Sequence, residues 1–193
     1  SRILPVSTFI DNKFTLYFPT PDIKLSDDEI EMLIQHTHDL IDEGMSQNPD
    51  RVVLDMKGNH GGNFYVFYAS LYPFLPYINP IIIGVNKQGE KVAEIRDDND
   101  VLRIIIEGMC VYSKKITRTK KYDIKVHLEI DERSMSSSQL ITLIFLQTLG
   151  QSYITGNSPA LYTNGSSFVR GENEFYIPYY IFTDKHGQVL RKE

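Results

Sequence analysis

Residues 130–150 read IDERSMSSSQLITLIFLQTLG. Four serines fall within positions 134–138, and the chain then runs without a break into Leu140, Ile141, Leu143, Ile144, Phe145 and Leu146. Serines this dense mark a loop or a helix cap. The apolar run after them reads as a helix over 135–149, ended by Gly150. The residues before them, DIKVHLEI (123–130), are strand-like. The stretch is therefore a strand, a serine turn and a helix. A second junction of this kind lies upstream. RVVLDM (51–56) is a short β-branched run suited to a buried strand. It leads through KGNHGG (57–62) into NFYVFYASLY (63–72), which is apolar on nearly all sides and reads as a buried helix stopped by Pro73.

Outward from these junctions the elements alternate. KFTLYF (13–18) is strand-like, and Pro19 and Pro21 end it. SDDE (26–29) is a capping box, with Ser26 as N-cap and Glu29 three positions on. Ile30, Leu33, Ile34, Thr37 and Ile41 then share one helix face, closed by Gly44. PIIIGVNKQGEKVAEIR (80–96) reads as a hairpin around Lys87-Gln88-Gly89, and 98–112 as a helix. EFYIPYYIFTDKHGQVL (174–190) reads as a strand followed by a turn at Lys185-His186-Gly187. Strands alternating with helices give an α/β domain.

A chain of 193 residues suits one domain that buries roughly 70% of its unfolded surface. Apolar residues at 41% and charged residues at 23% describe an ordinary globular protein. The net charge of −5 gives no support for nucleic-acid binding, and the one basic cluster, KKITRTKK (114–121), reads as a solvated loop. No apolar run reaches the length of a membrane span. The single cysteine, Cys110, excludes an internal disulfide and leaves the compartment open.

Two strand–loop–helix junctions have chemical consequences. In open α/β folds, sites collect where strands end and helices begin. A helix start presents unpaired N–H groups and the positive end of the macrodipole, which favours an oxygen gaining negative charge. A glycine loop beside it can bring bare backbone N–H groups to a carbonyl oxygen. Taken singly, the serines are accounted for by capping and GNHGG by a tight turn. A phosphate loop is disfavoured because no Gly-Lys-Ser/Thr follows. Their joint occurrence in this order shifts the balance towards a site.

VVLDMKGNHGG (52–62) resembles the D-L-R-x-N-x-G-G segment of the tail-specific, or C-terminal processing, serine peptidases. SMSSSQ (134–139) is similar to the nucleophile motif T-A-S-[AS]-A-E of that family. YITGNSPALYTNGSSF (153–168) and FYIPYYIFTDKHGQVLRKE (175–193) resemble its later segments. The likeness runs from about residue 50 to the end, and a second serine directly after the nucleophile, Ser137, brings the nisin-resistance-type branch nearest. The resemblance implies a ClpP/crotonase-like spiral of ββα units, with 1–193 as a single peptidase catalytic core lacking an upstream helical segment. It implies Ser136 as nucleophile, the Ser137 N–H and the N–H of Gly61 or Gly62 as oxyanion donors, and Asp55 and Asn59 as supports of the glycine loop. It also favours an extracytoplasmic location.

The departures bear on the base. Lys57 stands for arginine, Ser134 and Met135 for threonine and alanine, and Gln139 for glutamate. Six residues after Gly156, where Ser-Lys members carry lysine, this chain has Tyr162. Histidine is the alternative base. His36 and His38 read as surface positions, and His127 and His186 as structural ones. His60, inside the glycine loop, is the candidate within this chain. The branch it resembles takes its histidine from upstream of the core, so an upstream segment or a second chain is the other candidate source. The reading is a serine endopeptidase core that cleaves peptides near a C-terminus, with no metal or cofactor. A non-catalytic peptide-binding relative and a crotonase-like acyl-CoA enzyme are the alternatives.

Overall fold

The computed structural model describes residues 4–22, 24–86, 88–156, 167–170, 173–176 and 181–183. The chain divides into two compact units, Ser1–Pro76 with Arg118–Pro159, and Tyr77–Thr117 with Ala160–Glu193.

The first unit opens with strands β1 (Val6–Ile10) and β2 (Lys13–Tyr17), antiparallel and joined through Asp11 and Asn12 at φ 51° and 57°. Two successive left-handed residues of this type make the tight turn that suits the twist of a hairpin. Helix α1 (Asp27–Ser46) follows, and the Ser26/Glu29 capping box forms as expected. Next come β3 (Arg51–Asp55), the fully buried α2 (Phe64–Leu71), β8 (Val126–Glu129), α3 (Ser137–Leu149) and the short β9 (Ile154–Thr155). The strand order is β1-β2-β3-β8-β9, and all pairs after the first are parallel.

The register aligns Phe14, Val52 and Val126, then Leu16, Leu54 and Leu128, on one face. All six are buried, and with α1, α2 and α3 they form the core. Because β3 and β8 are adjacent and parallel, their carboxyl ends lie side by side, with Asp55 opposite Glu129. The two strand–loop–helix junctions thereby meet.

Three readings within this unit need correction. Gly44 does not close α1, which continues to Ser46. It lies inside the helix, where a Cβ would run into the Phe14 ring, so the glycine permits helix–strand contact instead. His38 is buried, not at the surface, and its Nε2 lies 2.8 Å from the Ala69 carbonyl. Lys121, taken as solvated, donates to the carbonyls of Tyr72 (3.1 Å) and Leu75 (2.7 Å). Its ammonium sits 3.5 Å from the Tyr72 ring centroid, a cation placed at the C-terminal end of α2 and the turn after it, where carbonyls favour positive charge.

The second unit carries β4 (Ile82–Val85), β5 (Lys91–Asp97), β6 (Val101–Ile106) and β7 (Met109–Lys115), an antiparallel meander to which β12 (Ile181–Thr183) adds beside β4. β10 (Ser167–Arg170) and β11 (Asn173–Tyr176) pair as a separate two-stranded sheet. The expected hairpin between β4 and β5 is present. The expected helix over 98–112 is instead β6, a turn at Glu107-Gly108 and β7. Both turn residues have positive φ, 48° and 79°, and the β-branched run Ile104–Ile106 favours strand over helix. Tyr162, His186 and the Lys185-His186-Gly187 turn lie outside the described residues. Among the described residues, no helix is long and apolar enough to cross a membrane.

Candidate active site

The glycine loop leaves β3 at Asp55, whose Oδ1 accepts from the Lys57 N–H at 2.9 Å. Lys57 Nζ reaches Glu129 on the neighbouring strand (2.5 Å) and Asp55 (3.2 Å). The hydrogen bond to Glu129, ahead of the one to Asp55, raises its pKa above the usual lysine value and holds it charged. Lys57 is therefore a brace across two strand ends and unsuited to accept a proton.

Asn59 organises the loop from within. It is fully buried, its Nδ2 donates to the Phe18 carbonyl (2.9 Å), and its Oδ1 accepts from the Gly61 N–H (2.8 Å). The N–H of Gly61 is thus engaged, whereas that of Gly62 has no hydrogen-bond partner among the described residues. Of the two glycines expected to present a free donor, the geometry leaves Gly62. Gly61, at φ 91°, has another task. A Cβ there would stand 2.5 Å from Ser136 Cβ, 2.7 Å from the Met135 carbonyl and 2.9 Å from the Ser137 nitrogen. Only a glycine lets the loop come this close to the serine turn.

Around the serine turn, the hydroxyls divide sharply. Ser134 Oγ donates to the Met56 carbonyl at 2.9 Å. Ser137 Oγ donates to the Gly62 carbonyl at 2.5 Å. Ser138 Oγ lies 3.0 Å from the Asn59 carbonyl and 2.7 Å from the Met135 carbonyl. The Met135 N–H also donates to Asn59 O, at 3.0 Å. These serines stitch the turn to the glycine loop, and all three are buried. This differs from their expected role as helix caps.

Ser136 is the exception. It is exposed, stands as the N-cap of α3, and makes no side-chain cap hydrogen bond. Gln139 faces it in the reciprocal arrangement of a capping box. Its Oε1 accepts from the Ser136 N–H at 3.0 Å, and the Gln139 N–H donates to the Ser136 carbonyl at 2.9 Å. The backbone at Ser136 has φ 55° and ψ −122°. The other non-glycine residues at positive φ among those described are aspartates and asparagines, except Glu107 in its hairpin turn. A serine held in this region carries strain of about 1–3 kcal/mol, which the surrounding bonds must hold in place. Next to it, the Ser137 N–H at the first turn of α3 has no hydrogen-bond partner among the described residues.

The sequence reading missed Asp131 altogether. Its Oδ1 accepts from the N–H groups of Gly58 (2.9 Å) and Arg133 (3.0 Å), and its Oδ2 from the Arg133 guanidinium (2.9 Å). Partial burial acts to raise its pKa, but donation from Gly58 and Arg133 outweighs this and lowers it to about 2. An aspartate two residues before Arg133 fits the local turn such residues form, and that was the available signal. Thr20 was missed too, and its hydroxyl accepts from the His60 N–H at 2.8 Å. His60 itself is exposed. Among the described residues, no histidine or lysine side chain hydrogen-bonds Ser136, and no group of acidic, histidine or cysteine side chains could hold a metal ion.

The sequence matches no family model and no curated protein. Its fold, however, is found among solved structures. One is a lipoprotein from Streptococcus agalactiae, with TM-score 0.69 and 17% identity, covering 97% of this chain and 61% of that one. Another is a Bacteroides fragilis protein classed with the S41 proteases, with TM-score 0.59 and 9% identity, covering 96% and 46%. A third is the photosystem II D1 C-terminal processing protease, with TM-score 0.54 and 10% identity, covering 92% and 39%. The mixed α/β fold is shared with peptidases of this kind. This chain spans less than two thirds of each of these proteins.

Proposed function

We propose that residues 1–193 are the catalytic core of a serine endopeptidase of the tail-specific class, built as a ClpP/crotonase-like spiral and nearest to the nisin-resistance-type branch. Ser136 Oγ attacks the scissile carbonyl near a peptide's C-terminus. The N–H groups of Ser137 and Gly62 receive the oxyanion. A general base takes the hydroxyl proton and passes it to the amine as the C–N bond breaks, and water then hydrolyses the acyl-enzyme on Ser136. Asp55 and Asn59 hold the loop that carries Gly62.

One observation carries this reading. Of the serines in the turn, Ser136 alone is exposed, sits in a strained backbone conformation and stays outside the stitching between the two junctions. A structural cap needs neither the strain nor the exposure.

The general base is a histidine carried by a segment upstream of these residues or by a second chain. Two features support this assignment: Lys57 is held charged between Glu129 and Asp55, and among the described residues no histidine side chain hydrogen-bonds Ser136. The test compares peptide hydrolysis by these residues alone with hydrolysis by a chain extended upstream to include a histidine. A large gain on extension, lost again when that histidine becomes alanine, is the expected result. Residual turnover of about 10³–10⁴ over water by the short chain fits the reading, since an oxyanion hole and binding can supply that much. Full activity of the short chain, lost in His60→Ala, would move the base into the glycine loop.

A further inference from the structure

We propose that Asp131 is a positioning residue for the oxyanion loop: its carboxylate anchors Gly58 to the serine turn and so sets where Gly62 stands relative to Ser136. This rests on the reading of Ser136 and Gly62 given above.

The geometry is that of a clamp with unequal halves. Oδ1 accepts from the loop, at the Gly58 N–H (2.9 Å), and from the turn, at the Arg133 N–H (3.0 Å). Ser134 returns the connection by donating to the Met56 carbonyl at the start of the loop and accepting from the Asp131 N–H (3.0 Å). Oδ2 meets only the Arg133 guanidinium among the described residues. That side chain is 62% exposed against 17% for Asp131, so the ion pair at Oδ2 is screened by solvent. Gly58 is the residue that must be held. It stands at φ 74°, and Asn59 follows directly, with its side chain fixing Gly61 and its carbonyl receiving Met135 and Ser138. A shift at Gly58 therefore passes through Asn59 to Gly61 and Gly62.

A purely structural Asp131 would shape the 131–134 turn and nothing more. The two roles separate in the full-length protein carrying Asp131→Asn, Asp131→Ala or Asp131→Glu. Asparagine keeps the Oδ1 acceptor and turns its amide toward an arginine free to swing into water. Glutamate keeps the charge but displaces the oxygens by a methylene, and serves if the alanine variant does not fold. Amide hydrogen exchange across 57–63 and 131–139 is measured together with kcat and KM per folded molecule. In Asp131→Ala and Asp131→Glu, exchange across 57–62 should rise about tenfold or more as an anchoring bond is lost. Their kcat should fall about 10²-fold with KM little changed, the scale of a small misplacement of catalytic groups. Asp131→Asn should stay near wild type in both. Faster exchange confined to 131–136, or a lower Tm with kcat intact, overturns the proposal. A wild-type protein that cleaves nothing tells against the peptidase reading instead, and the exchange pattern across 57–62 then decides the clamp by itself.

Discussion

The two strand–loop–helix junctions start from the same plan and finish their helices differently. At the β3–α2 junction, Asn63 caps conventionally: φ is −63°, and its side chain accepts from the Tyr65 N–H at 3.0 Å. At the β8–α3 junction, the N-cap is Ser136 at φ 55° with no side-chain cap hydrogen bond, and Gln139 reaches back to serve the backbone instead. Both helices are buried and neighbouring. The same environment thus accepts a relaxed cap at one junction and holds a strained one at the other. Stability alone favours the first solution, so the second points to a different requirement. One junction contributes backbone, shaped by glycines and Asn59. The other contributes a side chain held clear of its neighbours.

The largest effect that sharpens this contrast concerns Ser136. Ser136→Ala should lower turnover by about 10⁴- to 10⁶-fold. Ser136→Gly should remove activity equally while raising stability by about 1 kcal/mol, because glycine adopts positive φ without strain. A thermal melt read beside the rate separates the two effects. Loss of stability in both variants would make Ser136 an ordinary cap after all.

Next come the glycines, which should differ from each other. Gly61→Ala places a methyl against Ser136 Cβ and the Met135 carbonyl, so it should cost several kcal/mol, about 1–3 from backbone strain alone, and lower Tm. At Gly62 the nearest atom to an added Cβ is a Phe67 ring carbon at 3.7 Å, so there is room. Gly62→Ala should act mainly on kcat, by up to about 3–4 kcal/mol of transition-state stabilisation if its N–H is displaced, with a smaller stability cost from its φ of 145°. Identical profiles for the two variants would erase the division of labour between fixing the loop and donating from it.

Acid should act on the serine junction through Asp131. Its pKa in the folded protein is about 2, against about 3.9 in an unfolded chain. The ionised group therefore contributes stability that is complete above about pH 4 and disappears as the pH falls through about 2. Between pH 5 and 2, the wild-type Tm should fall more steeply than that of Asp131→Asn. Parallel curves would remove Asp131 from the account of that junction. The smallest effect belongs to the conventional cap. Asn63→Ala should cost about 1 kcal/mol in thermal unfolding.

The legible parts of this molecule are those written in local chemistry. The Ser26/Glu29 box, the β-branched strand at 51–55, the buried helix before Pro73 and the turn near Gly89 are each specified by residues close together in sequence. The failures arise where a long-range contact assigns the role. Gly44 resembles a helix stop until Phe14 packs against it. His38 sits one position beyond Thr37 on α1, and its burial depends on α2 supplying the Ala69 carbonyl. Residues 98–112 misled for another reason. Consecutive isoleucines hide the alternation that distinguishes a strand, and the Glu-Gly turn between β6 and β7 is a weak signal. At the site, the sequence pointed to Ser136 and to the glycines. It could not show that Ser134, Ser137 and Ser138 bond the opposite loop, because that loop lies some 75 positions away, as the 75-residue separation of Ser137 and Gly62 shows.

The central claim is that Ser136 differs in kind from the serines beside it, and covalent labelling tests it most directly. The full-length protein is treated with a fluorophosphonate, and the adduct is located by peptide mass spectrometry. A single adduct on Ser136 is predicted, absent from Ser136→Ala and retained in Ser138→Ala. An adduct on a different serine, or labelling that survives in Ser136→Ala, would contradict the account.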